Sequence, residues 1–199
     1  FVVDIWYDFL IFINKTSFGL ADPIFGKDIG YHVFPLPFLN KIYNFTLLLL
    51  FVMAAITLLF NMFIFFTMRV PEEPVDINVK TFRNPKDIYR NILRAASRQL
   101  LIIGGLFFLT LAFGFYFKTF ELLYSPRGVA YGASYTDIVV VLPSYYVYMA
   151  ICVITAILLI ASRKRKSIKL AAFGPLLLAA SMVVSGIASV VVQNIIVAP

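Results

Sequence analysis

Four stretches of the chain carry no charged side chain: Ile42 to Met68, Gln99 to Phe117, Ile138 to Ser162 and Leu170 to Pro199. Each is close to or longer than the ~20 apolar residues that an α-helix needs to cross a bilayer. A soluble domain has no use for four such runs in 199 residues. The composition agrees, at 61% hydrophobic and 14% charged against the roughly 45 to 50% apolar usage of soluble domains. In hydrocarbon every backbone amide must be bonded internally, which favours helices for continuous apolar runs of this length. The expected fold is all-α: a polytopic transmembrane bundle of four spans, with an N-terminal interfacial helix and irregular outer loops. Residues 1–41 read as the interfacial helix and an outer, re-entrant-like loop, and 42–199 as the bundle. The spans are expected at about 42–68, 99–120, 143–162 and 171–195, with a basic loop over 69–98.

The net charge of +7 is unevenly placed. Residues 69–98 and 162–169 together hold twelve basic and four acidic side chains, a net of +8, while the five basic and six acidic residues elsewhere give −1. Basic loops stay on the cytoplasmic side of a membrane. Segments 69–98 and 162–169 are therefore expected in the cytoplasm, with the N-terminal region, the loop from Lys118 to Pro143 and the end at Pro199 facing outward. The same clustering argues against nucleic acid as a partner, because the charge marks sides of a membrane rather than one continuous basic surface. The partner it implies is the lipid bilayer.

Within the first 18 residues, Asp4, Asp8 and Lys15 fall within about 40° of one another at helical spacing, and every other face is apolar. With Trp6 and Tyr7 beside it, this narrow stripe reads as an interfacial helix, for which Gly19 offers a stop. Asn84-Pro85 then opens a helix on which Arg90, Arg94 and Arg98 recur every four residues opposite Ile88, Ile92 and Leu93. That pattern suits contact with anionic lipid headgroups at the inner leaflet. Gly104-Gly105 and Gly114 in the second run permit close helix approach, and Asp137 or Ser144 is placed to cap the third. Ser181, Ser185 and Ser189 form a ridge of small residues suited to helix packing.

None of the four runs contains an ionisable core residue of the kind that couples ions or protons to transport. Cys152 is the single cysteine, which removes disulfide frameworks and cysteine metal sites. On the outer side, Asp22, Asp28, His32, Arg127, Tyr135 and Asp137 form a candidate cluster. Three carboxylates offer hard oxygen ligands, but one histidine is thin for zinc. No metal and no cofactor is expected, and the residues name no catalytic group. The expected roles are scaffolding: aspartates capping turns, Arg127 paired with a carboxylate and His32 as an interfacial residue. The aromatic residues of the two outer stretches, Phe25, Tyr31, Phe34, Tyr131 and Tyr135, are expected to pack together.

Two stretches carry a resemblance. Asp-Pro-Ile-Phe-Gly-Lys-Asp-Ile-Gly-Tyr-His-Val-Phe-Pro-Leu-Pro-Phe-Leu, from Asp22 to Leu39, and Leu-Tyr-Ser-Pro-Arg-Gly-Val-Ala-Tyr-Gly-Ala-Ser-Tyr-Thr-Asp, from Leu123 to Asp137, resemble the signatures of the UPF0182 family of bacterial membrane proteins. The similarity runs over essentially the whole chain. His32 departs from the tyrosine expected at that position, which weakens a catalytic role for it. The resemblance implies a multi-pass protein of the bacterial cell membrane, with additional transmembrane helices and an extracytoplasmic domain elsewhere in the full-length chain. It implies no activity. A start at Phe1 without methionine, and an end without a polar tail, likewise lead us to expect a piece of a longer polypeptide. The functional expectation is a membrane-embedded anchoring domain that seats a downstream extracytoplasmic domain. The alternatives are a component of a transport or channel system, or an outer-face enzyme using Asp22, Asp28 and Asp137.

Overall fold

The computed structural model describes residues 2–67, 85–124, 132–162 and 168–197. Among these, regular structure is helical apart from one isolated antiparallel bridge between Ala21 and Asp28. The elements are α1 (Val2–Ile13), the short α2 (Ile29–Val33), α3 (Pro35–Thr67), α4 (Pro85–Glu121), α5 (Leu142–Ser162) and α6 (Ile168–Val192). A 3-10 turn, Leu122–Tyr124, ends α4, and π-type turns at Asp137–Val141 and Gln193–Val197 open α5 and close α6. Four helical segments are long and apolar enough to cross a membrane.

Local chemistry explains the boundaries. The amides of a helix's first turn need no intrahelical acceptor, so Pro35 and Pro37 open α3 at no hydrogen-bond cost. The helix consequently starts ahead of Ile42, where the uncharged run begins. Helix α1 stops at Ile13, short of Gly19, whose φ of 68° serves the following loop instead. At the start of α5 the cap is Ser134, with Asp137 reciprocating. The Ser134 hydroxyl accepts from the Asp137 amide at 3.2 Å, and an Asp137 carboxylate oxygen accepts from the Ser134 amide at 3.1 Å, the two-way arrangement of a capping box. Ser144 instead donates to the Val140 carbonyl.

Isolated hydroxyls inside the spans are satisfied on their own helices. Thr46, Thr57, Thr110, Thr155 and Ser162 each donate to the carbonyl four residues earlier, at 2.6 to 2.9 Å, so these five hydroxyls are not left bare against hydrocarbon.

The spans pack in sequence order: α3 on α4, α4 on α5, α5 on α6. At each junction a glycine lets a neighbour's side chain approach its backbone. Gly114 lies under Tyr43, Gly105 under Ile160, and Gly174 under Thr155; a Cβ on Gly105 would meet Ile160 Cγ1 at 2.6 Å. The core sits where three spans meet, with Ala112 and Phe115 from α4, Tyr148 and Cys152 from α5, and Leu178 from α6. Helix α1 lies across the start of α3, where Phe9 and Phe12 flank Phe38 and Asp8 pairs with Lys41.

Candidate functional site: a capped end and a polar cleft

The described parts of both sequence motifs lie at one end of the helix row, where α3 and α5 begin and α4 and α6 finish. The first is a loop built around two carboxylates. Asp22 accepts from the amides of Ile24 at 2.8 Å, Phe25 at 2.7 Å and Lys27 at 3.2 Å. Its own amide and carbonyl close the turn on Lys27 and Gly26. Gly26 adopts φ 64°, a conformation that disfavours other residues. Asp28 caps α2 by accepting from the Gly30 amide at 2.6 Å, and it gathers the preceding strand through the Phe18 and Gly19 amides and the Ser17 hydroxyl. Gly30 is required at that point, since a Cβ there would meet the Thr16 carbonyl oxygen at 2.6 Å. Asp-Pro-x-Phe-Gly-x-Asp is thus a self-bonded turn, and each of its residue types has a backbone reason.

These contacts set the charge state of the loop. Burial opposes ionisation of Asp22, but the Phe25, Ile24 and Lys27 amides outweigh it, with a last contribution from the His32 ring, and the carboxyl is held below its ordinary value. For Asp28 the Ser17 hydroxyl and the Phe18 and Gly30 amides bring the value down to about 2. Two carboxylates held below their ordinary range and fully engaged are poor candidates for proton transfer near neutral pH.

His32 is buried, with its Nε2 3.5 Å from an Asp22 carboxylate oxygen. That is ion-pair range, but neither ring nitrogen makes a hydrogen bond among the described residues. Its ring packs edge-on against Tyr31, Phe120 and Tyr124. The loop's rings turn onto the end of α4: Phe25 and Tyr31 meet Phe120 at 5.0 and 5.4 Å, and Phe34 stacks on Phe18. Tyr135 is exposed and joins no ring contact among the described residues, so it stays out of the aromatic packing expected of it, and Tyr131 lies outside the described residues. The C-terminal turns of α4 present Tyr116, Phe120 and Tyr124 on one side, and that aromatic strip covers the loop. Lys27, absent from the sequence-based cluster, has its ammonium 4.1 Å from the Tyr31 ring centre and 4.7 Å from that of Phe120, and it donates to the Tyr116 hydroxyl at 3.3 Å. Its signal was weak because an isolated lysine in a loop ordinarily reads as solvated.

The remaining candidates separate. Asp137 is fully buried in the capping box at the start of α5. Arg127 lies outside the described residues. Arg94 and Arg98 are exposed on α4, at the opposite end from the motifs, and Arg90 lies on the same helix. Among the described residues no three of His, Cys, Asp and Glu are grouped to hold a metal ion.

The second polar region is a cleft of about 590 Å3 between α5 and α6, lined by Ser144, Tyr148, Ser185, Ser189, Gln193 and Asn194 among others. The Tyr148 hydroxyl meets the Ser185 hydroxyl and lies 3.5 Å from the Ser181 carbonyl. At the motif end Thr136 donates to Gln193 Oε1 at 2.8 Å, tying the two π-type turns together.

A family model described as "Uncharacterised protein family (UPF0182)" matches residues 1–199. The chain belongs to this family. It is 34% identical over 98% of its length to a UPF0182 protein of Alkaliphilus metalliredigens, and 33% identical over 96% to one of Clostridium tetani. To one of Clostridium novyi it is 36% identical over 85% of its length. It spans about a fifth of these UPF0182 relatives, 21%, 21% and 18% of their respective lengths. No solved structure matches the chain.

Proposed function

We propose that the chain is the membrane-embedded anchor of a longer bacterial cell-membrane protein, with the motif-bearing end facing outward and serving as the seat of an extracytoplasmic domain. The observation that carries this reading is the self-satisfied cap. Asp22 and Asp28 are bonded to backbone amides on both oxygens, and the loop's rings are clamped to α4. A rigid, chemically closed surface is what a seat requires. The +8 against −1 partition of charge supports the orientation. The chain's one-fifth share of its relatives' length supports the existence of further spans and a domain to be seated.

In the full-length protein, a cysteine replacing exposed Tyr135 is expected to react with a membrane-impermeant reagent in intact cells, and one replacing exposed Ser97 only after lysis. The reverse pattern overturns the orientation. For the seat, Phe120→Ala is expected to speed proteolysis of the extracytoplasmic region, and an unchanged cleavage rate with a loosened cap overturns it.

A second reading, as a component of a transport or channel system, draws on the hydroxyl- and amide-lined cleft between α5 and α6. The enzyme reading through Asp22, Asp28 and Asp137 gains no support, because each carboxylate is engaged in capping or closing local backbone.

A further inference from the structure

We propose that the cleft between α5 and α6 is a lipid site, taking the ester region and part of an acyl chain of a glycerolipid. Its volume of about 590 Å3 lies inside the roughly 300 to 1,000 Å3 typical of small-molecule sites. From Met182 to Val192, the end of α6, the helix rises about 15 Å toward the motif end at 1.5 Å per residue, about half of the hydrocarbon thickness. The lining changes with depth in the way a glycerolipid does. Gln193 and Asn194 stand at the motif end, Ser189 and Ser185 follow, and Met182 is deepest along α6.

Hydrogen bonding supplies the chemical class. The Ser189 hydroxyl and the Asn194 side-chain amide make no hydrogen bond among the described residues, and Gln193 engages only its carbonyl oxygen, with Thr136. The cleft therefore presents unengaged donors at a depth where bare donors are costly. Ester carbonyls are the acceptors a bilayer offers at that depth. Among the described residues no ionised side chain lines the cleft, so the site reads the ester region and not the charge of the headgroup. Gly186 faces open space in the cleft, where a Cβ would meet nothing within 4 Å.

The test uses the full-length protein in nanodiscs of diacyl phosphatidylcholine doped with a phosphatidylcholine probe bearing a photoreactive group on its acyl chain. Adducts are mapped by peptide mass spectrometry. They are expected to be several-fold more abundant at Tyr145, Tyr148 and Met182 than at exposed Phe51 and Leu59 of α3. Gly186→Leu, which fills open space, is expected to remove most cleft adducts and leave those on α3 unchanged. A phosphatidylglycerol probe should label as well as phosphatidylcholine, and an ether-linked analogue less. Should Gly186→Leu fail to fold, Asn194→Leu, at an exposed residue without a bond to lose, should abolish the ester-over-ether preference. Equal labelling of cleft and α3 overturns the proposal, as does ester-blind labelling. An absence of cleft adducts also overturns it and assigns the cleft to another helix of the polypeptide.

Discussion

The loop cap and the α5–α6 cleft lie at the same end of one helix row, and they treat polar groups in opposite ways. In the cap, two carboxylates collect amides from Phe18 to Gly30, and the rings of Phe25, Tyr31 and Phe120 cover the result. In the cleft, hydroxyl and amide groups line an opening of about 590 Å3, and the Ser189 hydroxyl and Asn194 amide have no hydrogen-bond partner among the described residues. Burial divides the spans differently, since the cap and the cleft each join a central helix to a flanking one. The central α4 and α5 windows are 33% and 28% buried, the flanking α3 and α6 windows 11% and 6%. Polarity alone does not mark a working site. A polar group already matched to the backbone is part of the scaffold, and one held open beside a flanking helix is available to bind.

The largest test of this contrast is Asp22→Ala. It strips three amides of their acceptor at a buried position, and a loss of about 2 to 4 kcal/mol is expected, from the cost of unsatisfied buried donors. Thermal unfolding of the full-length protein in detergent reads it. A negligible change would mean that the cap is held by its aromatic contacts alone.

Acid should act on the cap through the same groups. Both Asp22 and Asp28 are held below the ordinary carboxylate value of 3.8, Asp28 at about 2. The folded loop therefore binds fewer protons than the unfolded chain, and its carboxylate stabilisation is complete above pH ~4. It is lost as pH falls from there through about 2 for Asp28. Hydrogen exchange of the Gly19 and Gly30 amides, corrected for intrinsic rates, should show constant protection between pH 5 and 7 and a decline only in strong acid. Loss of protection already between pH 6 and 5 would place the control of the loop elsewhere.

The smallest effect is expected in the cleft. Ser189→Ala removes a hydroxyl that bonds nothing among the described residues, and stability should change by no more than about 0.5 kcal/mol. A loss above ~1 kcal/mol, measured by the same unfolding experiment, would show that Ser189 is engaged in the full-length protein and would remove the contrast with the cap.

Much of this fold was legible because its causes are local. Four uncharged runs name the long helices, Pro85 marks a helix start, and the spacing of Asp22, Gly26 and Asp28 contains the turn chemistry in seven consecutive positions, while Pro35, read as part of the outer loop, opens α3 instead. The capping box was half legible: Asp137 drew notice as a cap, while Ser134, which provides the hydroxyl, did not. Lys27 and Gln193 gave no usable signal. What distinguishes each is a partner far along the chain, Phe120 and Tyr116 for one and Thr136 for the other.

By itself, then, the sequence determined that the chain is helical, where its apolar runs lie, and that its first motif opens, from Asp22 to Asp28, as a glycine-broken, aspartate-bonded loop. These follow from backbone hydrogen bonding and φ preferences, which act over a few residues. Only the tertiary structure decided that the spans lie in a row with a glycine at each junction, that the loop folds onto α4 instead of Tyr135, and that α5 and α6 part into a cleft. Such outcomes depend on which surfaces fit at van der Waals distance, and composition carries no record of that fit.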